Sequence, residues 1–393
     1  MSARLVARSV RGLEWAVADE VRGRLPDASA ITLAAREVSF RLPGLASPGL
    51  AGRLGLRLAD DLFLAAGTVT GVGRTRDVPP AVAAGGARLD WATALASLKA
   101  VRELPGDPAF DVVASLLGRR NYNRFDLENA IGRALAPVLQ GTFLARSAEG
   151  GLAGEPDLTV RVFVSEDAAR LALRVARHPL HRRPYKQDTA PGTLHPPVAA
   201  AMARLAAGTA AGTVAQTMAD PFCGDATIAI EAALAFPSGR VLAGDIDAAR
   251  VGHARGNAAR AGVSLALAEL DAGALPWPAG SIDALVTNPP WNLAVDAGGL
   301  LRSSLEPFWR QVPRLLRPGG RACLIADAGL GLPGQLRERG YQVALAAQVR
   351  LAGRVSDLIL CAPGGQGRPQ VPAGLARWRR RAMAAGIVTE DGF

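Results

Sequence analysis

From about residue 193 to 363 the chain alternates short apolar runs with helical patterns, and that alternation leaves few folds open. Strand-like runs lie at Thr217–Asp220, Val241–Asp245, Ser264–Glu269, Ala284–Asn288, Ala322–Ala326, Gln342–Arg350 and Asp357–Cys361. Helical patterns such as Thr227–Phe236 and Ala248–Ala261 fall between them. Neighbouring parallel strands need a crossover, usually a helix, so this pattern predicts a doubly wound, mostly parallel sheet. Only a short loop separates the last two runs, which predicts an antiparallel hairpin at one sheet edge.

Ligands of such a sheet lie beyond the carboxyl ends of its strands, where the strand order reverses. The first strand ends in Asp220-Pro221-Phe222-Cys223-Gly224-Asp225-Ala226-Thr227 and opens a helix. Gly224 lets the backbone approach a ligand closely. The helix N–H groups and Thr227 suit a carboxylate, and Asp220 can accept from an amino group, the two ends of a methionine moiety. Dinucleotide loops want three spaced glycines. This loop has one, which points to a different adenosine cofactor. The next strand ends in Gly244-Asp245-Ile246-Asp247. A carboxylate about 20 residues past such a loop can hold ribose hydroxyls; Asp245 fits, with Asp247 as the lesser candidate. After the third strand, Asp271 can accept from an adenine amine and the Ala272 N–H can meet the ring. Singly, each acid is more often a cap. Three in order at three successive strand ends make a site.

The fourth strand ends in Thr287-Asn288-Pro289-Pro290-Trp291. Prolines remove donors and leave carbonyls free. The Asn288 side-chain oxygen and the Pro289 carbonyl can both accept from an exocyclic amine and aim its lone pair, while Trp291 offers a ring for a base to stack on. Catalysis would then be mainly positioning. Methylation at carbon usually needs a cysteine nucleophile near the acceptor. Cys223 lies in the cofactor loop and Cys361 in the far hairpin, so neither serves.

The first 165 residues read differently. Apolar runs Ala30–Leu33 and Val38–Leu42 mix with helical patterns Gly12–Leu25, Asp90–Val101 and Arg124–Leu135, and Gly/Pro-rich stretches at Pro43–Gly52 and Val78–Gly86 break the pattern, which suggests small α+β units with mixed sheets. A basic linker runs from about Arg174 to Pro191, and four arginines flank Trp378 near the end. The formal charge of +10 favours a polyanionic partner. Nearly all of that basic charge is arginine in an Ala/Gly-rich chain, so composition accounts for part of it. The three cysteines and four histidines form no metal-ligand spacing. No apolar run approaches the roughly 18 residues of a membrane span, and the N-terminus lacks a signal-peptide core, so a soluble cytoplasmic protein is expected.

On these residues the chain from about 193 to 363 resembles the class I S-adenosylmethionine-dependent methyltransferases that methylate amines. Their first motif, D-P-x-C-G-S-G-T followed by I-E-A, appears as Asp220 to Thr227 with Ile230-Glu231-Ala232. Their acceptor motif, N/D-P-P-aromatic, appears as Asn288 to Trp291. Leu316-Arg317-Pro318-Gly319-Gly320 matches their turn before a later strand. Asp225-Ala226 departs from the usual Ser-Gly. If that position takes positive φ, Ala226 carries a cost of about 1 kcal/mol. Arg11-Gly12-Leu13-Glu14 with Asp19-Glu20, Phe110–Val113, Leu127–Gly132 and Leu180–Tyr185 resemble parts of THUMP-containing RNA methyltransferases.

The resemblance implies a seven-stranded class I sheet at 193–365. A ferredoxin-like domain at 1–60, a THUMP-like RNA-binding domain at 61–175, a linker at 176–192 and a basic tail at 366–393 complete the expected chain. It implies S-adenosylmethionine as cofactor, held by Asp220, Phe222, Gly224, Asp225, Thr227, Asp245, Asp271 and Ala272. Asn288, Pro289, Pro290 and Trp291 would act on the exocyclic N2 of a guanosine in tRNA, or next in rRNA, flipped from its stem. Arg119, Arg120, Arg124, Arg182 and Arg183 are candidate phosphate contacts. A monomer without metal or membrane partner is expected. Two alternatives stay open: an adenine-N6 methyltransferase, and a catalytically silent RNA-binding protein.

Overall fold

The computed structural model describes residues 2–45, 49–146, 151–152, 154–208, 215–291, 296–351 and 353–388. Part of the Pro43–Gly52 stretch and the last five residues of the basic tail lie outside them. In the front part, strands β1 (Ser2–Arg8), β2 (Ser29–Ala34), β3 (Glu37–Pro43), β4 (Asp61–Thr70), β5 (Ala109–Leu116), β6 (Thr142–Phe143), β7 (Leu158–Ser165) and β8 (Ala168–Arg174) form one sheet. Its order is β2-β3-β1-β4-β8-β7-β5-β6. β4 joins its two halves: Leu64 faces Leu5 of β1 on one side and Leu173 of β8 on the other, both antiparallel. The sheet therefore runs without a break across residue 60.

The second sheet holds β9 (Thr217–Asp220), β10 (Arg240–Asp245), β11 (Ala266–Glu269), β12 (Ile282–Thr287), β13 (Leu316–Asp327), β14 (Gln342–Leu351) and β15 (Arg354–Ala362). The order is β11-β10-β9-β12-β13-β15-β14, with the expected hairpin strands β14 and β15 at one edge. β9 to β13 run parallel, and β15 enters antiparallel between β13 and β14. Strand residues alternate between two cores: Ala284, Val286, Cys323 and Ile325 face one, and Leu285, Ala322 and Leu324 the other. The first of these cores is continuous with that of the front sheet.

Two expectations change, one in the front half and one in the tail. Val78–Gly86, read as a breaker, belongs to a helix, Val78–Ala87. Its prolines occupy the first turn, where no N–H is needed. Its glycines allow close packing: a Cβ on Gly85 or Gly86 would stand 2.9 Å from Val69 or Leu171. The tail, read as basic, also carries a packed helix, Ala373–Ala384, against Glu14–Arg24. Trp378 is only 4 % exposed there, with Arg377 and Arg381 over its ring.

Polar contacts fix the front part on the part that holds the second sheet. Glu231, wholly buried, accepts from Arg57 (2.6 and 2.8 Å), Arg183 (2.9 Å) and the Tyr185 hydroxyl (2.9 Å). Arg204 pairs with Asp19 at 2.6 Å, and His195 Nε2 lies 2.7 Å from Asp60. Gly12, at φ +98°, sits so close to edge strand β14 that a Cβ would lie 1.9 Å from the Gln348 carbonyl oxygen. The Arg11-Gly12-Leu13-Glu14 motif is thus a docking turn. Glu14 accepts from the Gly12 N–H, and the Trp15 indole donates to the Gly12 carbonyl.

Candidate active site

The carboxyl ends of β9, β10, β12 and β13 surround a cavity of about 320 Å³. It lies where the order reverses, with β10 on one side of β9 and β12 on the other. All twelve residues expected to hold cofactor or acceptor line it or adjoin it: of them, only Asp220 is not on the wall itself.

Asp220 is the buried centre of this end of the sheet, 2 % exposed. Its Oδ1 accepts from the Thr287 hydroxyl (2.6 Å) and the Phe222 N–H (3.3 Å), tying the ends of β9 and β12 together. Its Oδ2 is buried with no partner. Burial pushes this carboxyl up to about 7, with the Asp245 charge adding to the shift, against the two hydrogen bonds. An unpaired buried carboxylate oxygen is costly until a cation meets it. Asp245 accepts from the Gly224 and Asp247 N–H groups, and Asp247 caps the following helix through the Ala249 N–H. The stronger candidate therefore faces the cavity and the lesser one is a cap. Asp271 accepts from Gly273 (2.7 Å) and Leu300 (2.8 Å), one bond per oxygen, so each oxygen keeps a lone pair.

The loop between β9 and its helix carries the expected strain. Gly224 has φ +51° and Ala226 φ +62°, the left-handed region. Ala226 is the helix N-cap and caps nothing with its methyl group. Asp225, expected at the cofactor, lines the cavity and also reaches the linker. Its Oδ2 accepts from the Ala190 N–H of the linker at 2.8 Å, while its Oδ1 is buried without a hydrogen-bond partner, 3.4 Å from His253 Nδ1. Thr227 is buried with its hydroxyl 3.4 Å from that of Thr193. Burial raises the Cys223 thiol well above its ordinary range, which disfavours a thiolate nucleophile.

At the acceptor end, Pro289 is buried and the half-buried Asn288 amide has no hydrogen-bond partner among the described residues. The Trp291 indole donates to the Ile325 carbonyl at 3.0 Å, which fixes the ring on β13. Residues that the sequence pattern did not single out complete the wall: Gly192 to Leu194, Ile246, Leu301, Asp327, Arg354 and Ser356. Ile246, following Asp245 and 44 % exposed, carried a readable signal as an apolar residue at a strand end. Arg354 and Ser356 did not, since only the insertion of β15 beside β13 brings them here.

The basic candidates separate. Arg119, Arg124 and Arg182 are exposed. Arg120 spends its guanidinium on the Gly73 and Glu166 carbonyls, at 2.9 and 2.7 Å. Arg183 was expected to meet phosphate; its side chain is 6 % exposed and bound to Glu231, so it cannot.

Comparison with known proteins shows what this chain is similar to. A family model described as UPF0020, RMKL-like, methyltransferase domain, matches residues 183–357. Over 225 residues the chain is 32% identical to a tRNA (guanine(6)-N2)-methyltransferase of Thermus thermophilus, covering 57% of this chain and 63% of that protein. Over 172 residues it is 28% identical to the U6 snRNA (guanine-N(2))-methyltransferase THUMPD2 of Bos taurus, covering 43% of this chain and 32% of that one. The chain thus matches less than two thirds of the length of each of these curated relatives. The crystal structure of TrmN from Thermus thermophilus aligns with a TM-score of 0.67 at 29% identity, over 91% of this chain and 99% of that one. Over residues 183–357 the chain is thus similar to the RMKL-like methyltransferase domain that this family model describes.

Proposed function

We propose that the protein transfers a methyl group from S-adenosylmethionine to the exocyclic N2 of a guanosine in RNA, with tRNA the first substrate and rRNA the second. The observation that carries this reading is a cavity with the half-buried Asn288 amide on its wall and, at the adjacent strand end beside it, the buried and unpaired Asp220 Oδ2. The first suits the cofactor's ammonium group. Gly224 and the start of the Thr227–Ala235 helix suit its carboxylate, Asp245 its ribose hydroxyls, and Asp271 with the Ala272 N–H its adenine. When bound, the cofactor supplies an electrophilic methyl group.

The remaining work falls to the acceptor side. The Asn288 side-chain oxygen and the Pro289 carbonyl accept the two N–H bonds of the amine and turn its lone pair inward. Trp291, held on β13, stacks against the base. The methylated nitrogen is acidic and releases its proton without a strong base. Rate would come from positioning and from dipoles already in place. Both named relatives modify guanine N2 in RNA, which favours guanine over adenine N6. The front residues 1–60 and 61–175 are proposed as ferredoxin-like and THUMP-like units that grip the RNA. They are joined to the 193–365 domain by 176–192 and braced by the 366–393 tail. Among the described residues no helix is long and apolar enough to cross a membrane. A monomer in the cytoplasm is the proposed working state. Offering labelled S-adenosylmethionine with tRNA, rRNA and duplex DNA in competition tests this: label enters RNA, and label confined to duplex DNA would overturn it.

A further inference from the structure

An amine held between the Asn288 side-chain oxygen and the Pro289 carbonyl can belong to guanine or to adenine, so the choice falls to what stands beside that seat. Two acids on the cavity wall have no part in holding the cofactor, Asp296 and Asp327. Asp296 is exposed. Asp327, the last residue of β13, is fixed: its Oδ1 accepts from the Gly329 N–H at 2.9 Å, and its Oδ2 lies 3.4 Å from the Arg354 Nε. The strand register puts this pair on one face. Asp327 faces Ser356 across the antiparallel β13–β15 pair, Arg354 stands two residues before Ser356, and Ile325 stands two before Asp327. Side chains two apart on a strand share a face. All four residues line the cavity.

The acceptor seat meets the same strand. Thr287 at the end of β12 pairs with Leu324, and the Trp291 indole donates to the Ile325 carbonyl at 3.0 Å. From Asn288 to Asp327 is one strand across and two residues along, roughly 8 Å between backbones, a gap that two side chains and a base edge fill. A carboxylate beside a guanidinium offers an acceptor next to a fork of donors. Beside its N2 amine, guanine presents N1–H, a donor, and then O6, an acceptor. Adenine with its N6 amine in the same seat presents N1 on one side and N7 on the other, both acceptors. The carboxylate thus gains a hydrogen bond from guanine and meets a lone pair in adenine. The Arg354 contact with Asp327 uses Nε, which leaves the two Nη groups to donate to O6.

We propose that Asp327 and Arg354 select guanine: Asp327 accepts from N1–H and Arg354 donates to O6 of the flipped base, while Asn288 and Pro289 hold N2. The selection rests on the reading of a guanine-N2 reaction, and it gives that reading a cause in this chain's own residues. A flipped base is read along its Watson–Crick edge, and N1–H and O6 are the part of that edge next to the reacting amine. The Gly329 N–H and the arginine hold the carboxylate in place before the base arrives, so little ordering remains to be done on binding.

The test uses the full chain and two forms of one tRNA, with guanosine or 2-aminopurine riboside at the position the wild type methylates. 2-Aminopurine keeps the N2 amine and lacks both the N1–H and O6. The wild type favours guanosine by roughly a hundredfold or more in kcat/KM, because a site built to bond a polar group rejects an analogue without it. In Asp327→Asn the ratio falls to about tenfold or less. S-adenosylhomocysteine affinity is retained, which shows the variant folded; a merely structural role would slow both substrates alike. Arg354→Ala, at an exposed side chain, also narrows the ratio, by a smaller factor, and decides the question if Asp327→Asn does not fold. An unchanged ratio in the folded variants, or equal losses on both substrates, would overturn the selection and leave the reaction standing wherever the wild type still forms N2-methylguanosine. A wild type that forms no N2-methylguanosine would remove the reaction and the selection together.

Discussion

Arginines crowd two surfaces of this molecule and behave differently on each. On one face of the front sheet, Arg8, Arg161, Arg170 and Arg174 stand over a floor of Val6, Phe63, Ala172 and Phe163. Three of them are paired: Arg174 with Asp61 at 2.8 Å, and Arg8 and Arg170 with Glu37. Arg161 has no ion pair there among the described residues, and burial lowers it to about 10. Where the Gly12 turn docks on β14, Arg11, Arg36 and Arg350 are exposed and enter no side-chain ion pair among the described residues. The same residue type is structural in the first place and available in the second. A formal charge of +10 therefore locates no partner until the paired arginines are set aside. Arg183, taken from a basic cluster in the sequence, fails for that reason.

The contrast breaks most severely where the two parts meet. Glu231→Ala leaves Arg57 and the buried Arg183 without their carboxylate, and removing one partner of a buried network costs about 3–5 kcal/mol. Urea unfolding should show that loss, and a loss near zero would mean that the parts are not joined through this residue. Next comes the acceptor group. Asn288→Ala should lower kcat by roughly a hundredfold to a thousandfold, the usual effect of removing one positioned polar group, with S-adenosylhomocysteine affinity unchanged. A parallel loss of affinity would put Asn288 at the cofactor instead.

A smaller effect is set by Asp220. Its carboxyl titrates at about 7, so below that pH it is neutral and cannot pair with an ammonium group. S-adenosylhomocysteine affinity should weaken as pH falls below about 7, by up to about tenfold per unit, and Asp220→Asn should flatten the profile. A flat wild-type profile would contradict the assignment. The smallest effect belongs to the loop: Ala226→Gly relieves a left-handed alanine and should stabilise the protein by about 1 kcal/mol in the same urea assay. A destabilised glycine variant would mean that the loop holds another conformation.

The sequence discloses the catalytic half well, because its chemistry sits at strand ends and the strand pattern says where those are. Asp220, Asp245, Asp271 and Asn288 could be placed in order without coordinates. Arg354 and Ser356 could not, because their presence depends on β15 folding back beside β13, a long-range register. Asp225 lines the cavity as its place after the loop glycine suggests, but its second contact, with the Ala190 N–H of the linker, could not be read from the sequence. In the front half, prolines and glycines at Val78–Ala87 looked like punctuation and proved to be a helix start and a packing surface, which only the opposing Val69 and Leu171 reveal.

The most direct test of the central claim is nucleoside analysis of unmodified tRNA after incubation with the protein and labelled S-adenosylmethionine. The account predicts that the label is recovered as N2-methylguanosine. Recovery as N6-methyladenosine, or in no nucleoside from protein that binds S-adenosylhomocysteine normally, would contradict it.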